Sequence, residues 1–172
     1  MSTYTTIGIG AMLPAATLYE FIAEEAEGCS LGKPESLQID AATANKKIII
    51  FAVPGAFTPT CSSQHVPGFL EHYAALKEKG VDEIWCLSVN DPFVMGAWGR
   101  DLSVGTKIRM IGDGSGEFTK KVGLEFDLVA NGLGVRSQRY AMVVENGQVT
   151  ALNVEAPGQF KVSDAASVLK LL

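Results

Sequence analysis

One cysteine, Cys61, closes the stretch PGAFTPTC, in which two prolines fix the backbone and a threonine stands three residues upstream. An apolar run (residues 47–53, KIIIFAV) precedes the stretch, and apolar residues at helical spacing follow it. Cys61 therefore falls in or next to the first turn of a helix that leaves a buried strand. Unpaired N–H groups there point at the sulfur, and the helix dipole favours a negative charge. The thiolate is the form in which a cysteine attacks. Thr58 is close enough along the chain for its hydroxyl to reach back to the sulfur. Pro54 and Pro59 each fix a φ angle and remove a donor, stiffening the loop without competing for hydrogen bonds. The group suits a thiolate held in a pocket against a small substrate. A core cysteine beside a helix cap would look the same on position alone.

Other residues that could carry chemistry are fewer. His65, four residues after Cys61, would be the base of a Cys/His hydrolase. A base at that offset on one helix is poorly aimed at a cysteine near the helix start, and the chain's only other histidine is His72. No spacing supplies the four ligands of a structural zinc site. Gly112, Gly114 and Gly116 (IGDGSGEF) lie between strand and helix but fit neither phosphate-loop pattern, so they read as a turn with a helix cap. Arg139 is the odd residue of SQRYAMVV. Strand alternation puts it on one face with Ala141 and Val143, while Tyr140, Met142 and Val144 take the other. It is either an exposed charge at a strand end or a fixed guanidinium that stabilises a thiolate and charge developing on a substrate oxygen.

The elements that must position these residues follow from patterning. ATLYEF and ESLQID suggest a peripheral hairpin around the segment EEAEGCSLGKP. Strands are predicted at 47–53, 83–89, 108–111, 138–144 and 148–154. Helices are predicted from Val66, with Phe69, Leu70, Tyr73 and Leu76 on its core face, to a stop at Gly80; from Pro92 through Arg100; over 116–122; and after Ser163 as the final cap. Asn146-Gly147 joins the last two strands as a hairpin. The order predicts one α/β domain over residues 1–172, a thioredoxin-like sandwich whose mixed, mostly parallel sheet has helices on both faces. A net charge of −5 argues against nucleic acid and an anionic membrane surface. The N-terminus lacks a basic region ahead of an apolar stretch, and no apolar run is long enough to span a bilayer, so a cytoplasmic protein is expected. Three cysteines without a pairing motif (Cys29, Cys61 and Cys86) point to redox or catalytic use rather than a disulfide framework.

PGAFTPTCS, HVPGF, CLSVNDPFVMGAWGR and RYAMVV together resemble the peroxiredoxins, in particular their type II (type 5, atypical two-cysteine) branch, from about Lys47 to the C-terminus. The motif P-x-x-x-T-x-x-C is met by Pro54, Thr58 and Cys61. The resemblance implies a thiol peroxidase acting on hydrogen peroxide and organic hydroperoxides without metal or organic cofactor. Cys61 would be the peroxidatic cysteine, Thr58 would orient the peroxide, and Pro54 would shield the site. A strand arginine would complete it, at Arg139 rather than the nearby Arg136. Backbone N–H groups near Thr60 and Cys61 would help hold the departing oxygen. Cys86 is the candidate resolving cysteine; otherwise glutathione with glutaredoxin, or thioredoxin, resolves Cys61 directly. The resemblance also implies a homodimer, with Phe57, Phe93 and Trp98 as residues to look for at its interface or in the core. Cys29 receives no role. Two other functions compete: a non-catalytic redox sensor or holdase using the same cysteine, and a disulfide reductase, which the absence of C-x-x-C disfavours.

Overall fold

A computed structural model describes residues 4–23 and 32–172. Its centre is the β-branched run, now β3 (Lys47–Ala52), whose last five residues are buried because both its faces are covered. Parallel to it run β4 (Glu83–Ser88) and then β5 (Arg109–Gly112). Antiparallel strands extend this trio on both sides. One side carries β1 (Thr17–Ile22) and β2 (Lys33–Gln38), the other β8 (Tyr140–Glu145) and β9 (Gln148–Val154). The seven-stranded order is β2-β1-β5-β4-β3-β8-β9. The N-terminal hairpin is thus more than peripheral, since β1 hydrogen-bonds to β5 and widens the main sheet. Cys29 and most of its segment lie outside the described residues.

Helices cover both faces. On one, α2 (Val66–Glu71), α3 (Tyr73–Glu78), α4 (Pro92–Asp101) and α6 (Ala165–Leu169) pack on Ile49, Phe51, Cys86 and Ala141. On the other, α1 (Ile39–Thr43) and α5 (Glu117–Lys121) pack on Ile48, Ile50, Trp85 and Met142. Among the described residues no helix is long and apolar enough to cross a membrane.

Three local readings change. The final helix is capped by Asp164, whose carboxylate accepts from Ser167 N at 3.0 Å, and not by Ser163, which is buried and bonded to Glu155. Patterning also misses a short antiparallel pair, β6 (Glu125–Leu128) and β7 (Gly134–Ser137), because its apolar residues are only partly covered and offer no clean alternation. The helix expected from Val66 breaks at His72, between α2 and α3.

The glycines of IGDGSGEF have structural work. Gly116 sits at φ +67° as the cap of α5, and a Cβ on Gly112 would lie 2.7 Å from the Asn90 carbonyl and 3.1 Å from Pro92 N. Gly112→Ala should therefore destabilise the fold by about 1–3 kcal/mol through overpacking against backbone. An unchanged urea midpoint would mean that the turn at residues 90–92 yields freely.

Candidate active site

Backbone pairing decides which segments meet. Ala52 at the end of β3 faces Tyr140 at the start of β8, so the chain after β3 and the residue before β8 emerge at the same end of the strands. The first carries Cys61 and the second is Arg139. Alternation along β8 sets Arg139 on the face of Ala141 and Val143, the face on which the Cys61 helix packs.

The helix opens at Pro59, where the missing N–H costs nothing. It then widens into a π-turn over Cys61–His65, in which Val66 N donates to the Cys61 carbonyl. Pro67 supplies the reason. A regular helix would press its ring against the carbonyl four residues back and ask for an N–H it lacks, and a wider turn relieves both. Ser62 N still donates to Thr58 O at 3.0 Å, which makes Thr58 the residue that caps the helix.

Two donors converge on the wholly buried Cys61 sulfur. Thr58 Oγ1 lies 2.8 Å from Sγ and also 2.8 Å from the Gly55 carbonyl, while Arg139 Nη2 donates to Sγ at 3.1 Å. The second terminal nitrogen, Arg139 Nη1, donates to His65 Nδ1 at 2.9 Å. His65 Nε2 in turn donates to the Ser163 carbonyl at 2.9 Å. The Phe160 ring lies 5.7 Å from the guanidinium and 4.9 Å from the imidazole. Arg136, the neighbouring candidate, donates instead to the Leu133 carbonyl at 2.7 Å.

A cavity of about 640 Å³ opens beside Thr58 and Arg139, bounded by Pro54, Phe126 of β6 and Phe160. Its loop is pinned from the turn after β4, since Asn90 Oδ1 accepts from Ala56 N at 3.0 Å and from Ser88 Oγ at 2.6 Å. The following residue, Phe57, takes φ +62°, unusual for a bulky side chain, and its ring stands 6.3 Å from Trp98. Trp98 is buried and donates to Ser62 Oγ at 3.0 Å, so it is a core residue, whereas Phe57 and Phe93 are exposed. Cys86 lies on the same sheet face as Cys61, opposite Phe51 in the register, and is fully buried. Burial, and then the nearby Cys61, push its thiol well above the ordinary range. Among the described residues no cluster of His, Cys, Asp and Glu could hold a metal ion.

Sequence reasoning gave no role to Glu155 or Phe160, read Asn90 only as part of the Asn90-Asp91-Pro92 helix cap, and weighed His65 as a base against a structural or solvated residue. The one available signal was the place of Asn90 and Glu155 at the ends of apolar runs; Phe160 lies in a polar stretch, and none of these is near Cys61 along the chain except His65.

A Redoxin family model matches residues 10–169. Peroxiredoxin-2B of Arabidopsis thaliana is 47% identical over 166 residues, covering 96% of this chain and 98% of that protein. The chain belongs to the type II peroxiredoxins. Solved structures agree: reduced Prx3 from Vibrio vulnificus in complex with H₂O₂ has a TM-score of 0.87 at 47% identity, covering 96% of this chain and 98% of that one. A Burkholderia cenocepacia protein described as a putative thioredoxin reductase has a TM-score of 0.92 at 57% identity, covering 98% and 99%. As a peroxiredoxin the chain is a thiol-dependent peroxidase on a thioredoxin-like fold.

His65 links this peroxiredoxin's stability to pH. Burial, and then the Arg139 charge, hold the ring's pKa at about 3, against 6.5 for an unperturbed histidine. The unfolded chain takes up the proton first, so the stability is complete above pH 6.5 and is lost as pH falls toward 3. Between roughly pH 7 and pH 4 the native chain should lose about 3 kcal/mol more than His65→Asn. Parallel pH slopes of the denaturation midpoints would rule this out.

Proposed function

We propose that Cys61 is the peroxidatic nucleophile, with Thr58 and Arg139 as its catalytic partners and Pro54 as the wall that shields it. The observation that carries this reading is the convergence of Thr58 Oγ1 and Arg139 Nη2 on one buried sulfur beside an open cavity. A hydroxyl has a single proton, and Thr58 can give it to the Gly55 carbonyl or to the sulfur. In the thiol state the S–H can donate to Thr58 Oγ1 while Thr58 donates to Gly55. In the thiolate state Thr58 turns its proton to the sulfur, and when peroxide enters it orients the incoming oxygen.

The Cys61 thiolate attacks the hydroxyl-bearing oxygen of the peroxide. The S–O bond forms as the O–O bond breaks, and the sulfur becomes a sulfenic acid that keeps that oxygen's hydrogen. The other oxygen leaves with the electron pair as hydroxide or alkoxide and takes a proton from solvent, giving water or an alcohol. Arg139 stabilises the charge on that leaving oxygen, as electrostatic donors do where charge develops. Hydrogen peroxide fits this chemistry, and the apolar cavity wall of Phe126, Leu128 and Leu133 favours organic hydroperoxides as well.

Cys86 is proposed as the resolving thiol. It attacks the sulfenic sulfur, releasing water and leaving a Cys61–Cys86 disulfide. Because Cys86 is packed within the core, the π-turn at Cys61 must open before the sulfurs meet. Glutathione with glutaredoxin, or thioredoxin, then returns the electrons. The same proposal places the protein in the cytoplasm, where such thiols are kept reduced, and pairs it as a homodimer through the exposed Phe57 and Phe93.

Cys61→Ser should abolish peroxide consumption, and Arg139→Ala should slow oxidation by about 100-fold. Many turnovers per chain with a thiol system supplied separate an enzyme from a sensor or holdase. Intact mass after one equivalent of peroxide should fall by two hydrogens in the native chain and rise by one oxygen in Cys86→Ser. A gained oxygen in both would eliminate Cys86 as resolver.

A further inference from the structure

The mechanism above uses one end of the Arg139 guanidinium and leaves open what aims it. Arginine is long and flexible, and only one of its terminal nitrogens meets the sulfur. The other reaches His65, and the bonding around that ring fixes its chemical form without reference to any titration. Arg139 Nη1 can only donate, so His65 Nδ1 must accept, and the Ser163 carbonyl can only accept, so His65 Nε2 must carry the proton. Both ring nitrogens are thereby occupied, and neither is free to take a proton from Cys61 or from a peroxide.

We propose that His65, as the neutral Nε2–H tautomer, is a positioning residue for peroxide cleavage, its Nδ1 lone pair holding the guanidinium so that Nη2 faces the Cys61 sulfur. The inference rests on the role given above to Arg139. Its far anchor is built as firmly as its near one. Glu155 Oε1 accepts from Lys161 N, Val162 N, Ser163 N and Ser163 Oγ at 2.7, 2.8, 2.9 and 2.9 Å. One buried carboxylate oxygen thus holds the turn that presents the Ser163 carbonyl to His65. Glu155 N also donates to the Arg139 carbonyl at 2.9 Å, so the clamp is tied to the backbone of the residue it aims. Phe160, in the same loop, packs on both the guanidinium and the imidazole. The chain of contacts runs Glu155, Ser163, His65, Arg139, Cys61.

The test compares two polar replacements. His65→Asn keeps an acceptor near the Nδ1 position, whereas His65→Gln places its polar atoms near Nε2 and leaves Arg139 Nη1 without a partner. The readout is the second-order rate constant for oxidation by hydrogen peroxide divided by that for alkylation by iodoacetamide. The ratio cancels the thiolate fraction and isolates the step in which oxygen leaves. His65→Gln should lower the ratio by about 10- to 100-fold, the scale set by misplacing a catalytic group by an ångström, and His65→Asn should restore most of it. A ratio unchanged in His65→Gln, or lowered equally in both variants, overturns the inference. Arg139→Ala serves as the control. If it too leaves the ratio unchanged, the role of Arg139 has failed and the positioning role with it; if it lowers the ratio while His65→Gln does not, only the positioning role has failed. Nitrogen NMR of the native chain at neutral pH needs no variant. It should find the His65 ring neutral and protonated at Nε2, and a cationic or Nδ1–H ring would overturn the proposal even if neither variant folds.

Discussion

A sulfur that is to become negative inside a protein must be met by donors, because an unpaired buried charge is among the costliest things a fold can contain. Cys61 is wholly buried, and Thr58 and Arg139 are the groups that meet it. Much of the surrounding architecture serves this meeting. Thr58 is local, being three residues away across the first helical turn. Arg139 is 78 residues distant, and it arrives only because β8 pairs with β3 in the register that sets Tyr140 opposite Ala52. A slip of one residue in that pairing would turn Arg139 to the other face of the sheet.

Rigid supports hold the two halves. From the turn after β4, the Asn90 amide oxygen fixes the backbone at Ala56, and Gly112 lets the turn at residues 90–92 settle against the sheet. From the loop after β9, Glu155 gathers three backbone N–H groups and a hydroxyl. Its burial disfavours the charge, yet these bonds outweigh that and hold the carboxyl below its usual range. The charge therefore persists at neutral pH as a fixed part of the site's scaffold.

The same segment has to be firm for one step and pliable for another. The thiolate needs its donors in place, while the proposed disulfide closure would need Cys61 to leave them and reach Cys86, embedded against Phe51. The π-turn forced by Pro67 lies at this point, and its wider ladder is a natural place for the helix to open. Phe57, held at positive φ on the exposed side of the loop, stores strain in the segment that would have to move.

The sequence by itself determined what depends on near neighbours. The strand of β-branched residues, the capped helix after Asp91, the Asn-Gly hairpin and the cysteine at a helix start are all short-range patterns, and so is the reach of Thr58 to the sulfur. Alternation even named the correct face for Arg139. Where short-range signals were faint, reading failed: the β6–β7 pair is half-covered, and Asp164 rather than Ser163 caps α6 because Glu155 draws Ser163 away. Only the tertiary structure decided the rest. Whether Arg139 meets solvent or sulfur, whether Trp98 faces outward or inward, and whether His65 is a base or an acceptor all depend on partners that long loops bring together. A histidine four residues from a cysteine looks like a base in one dimension. In three, an arginine and a carbonyl have already claimed both of its nitrogens.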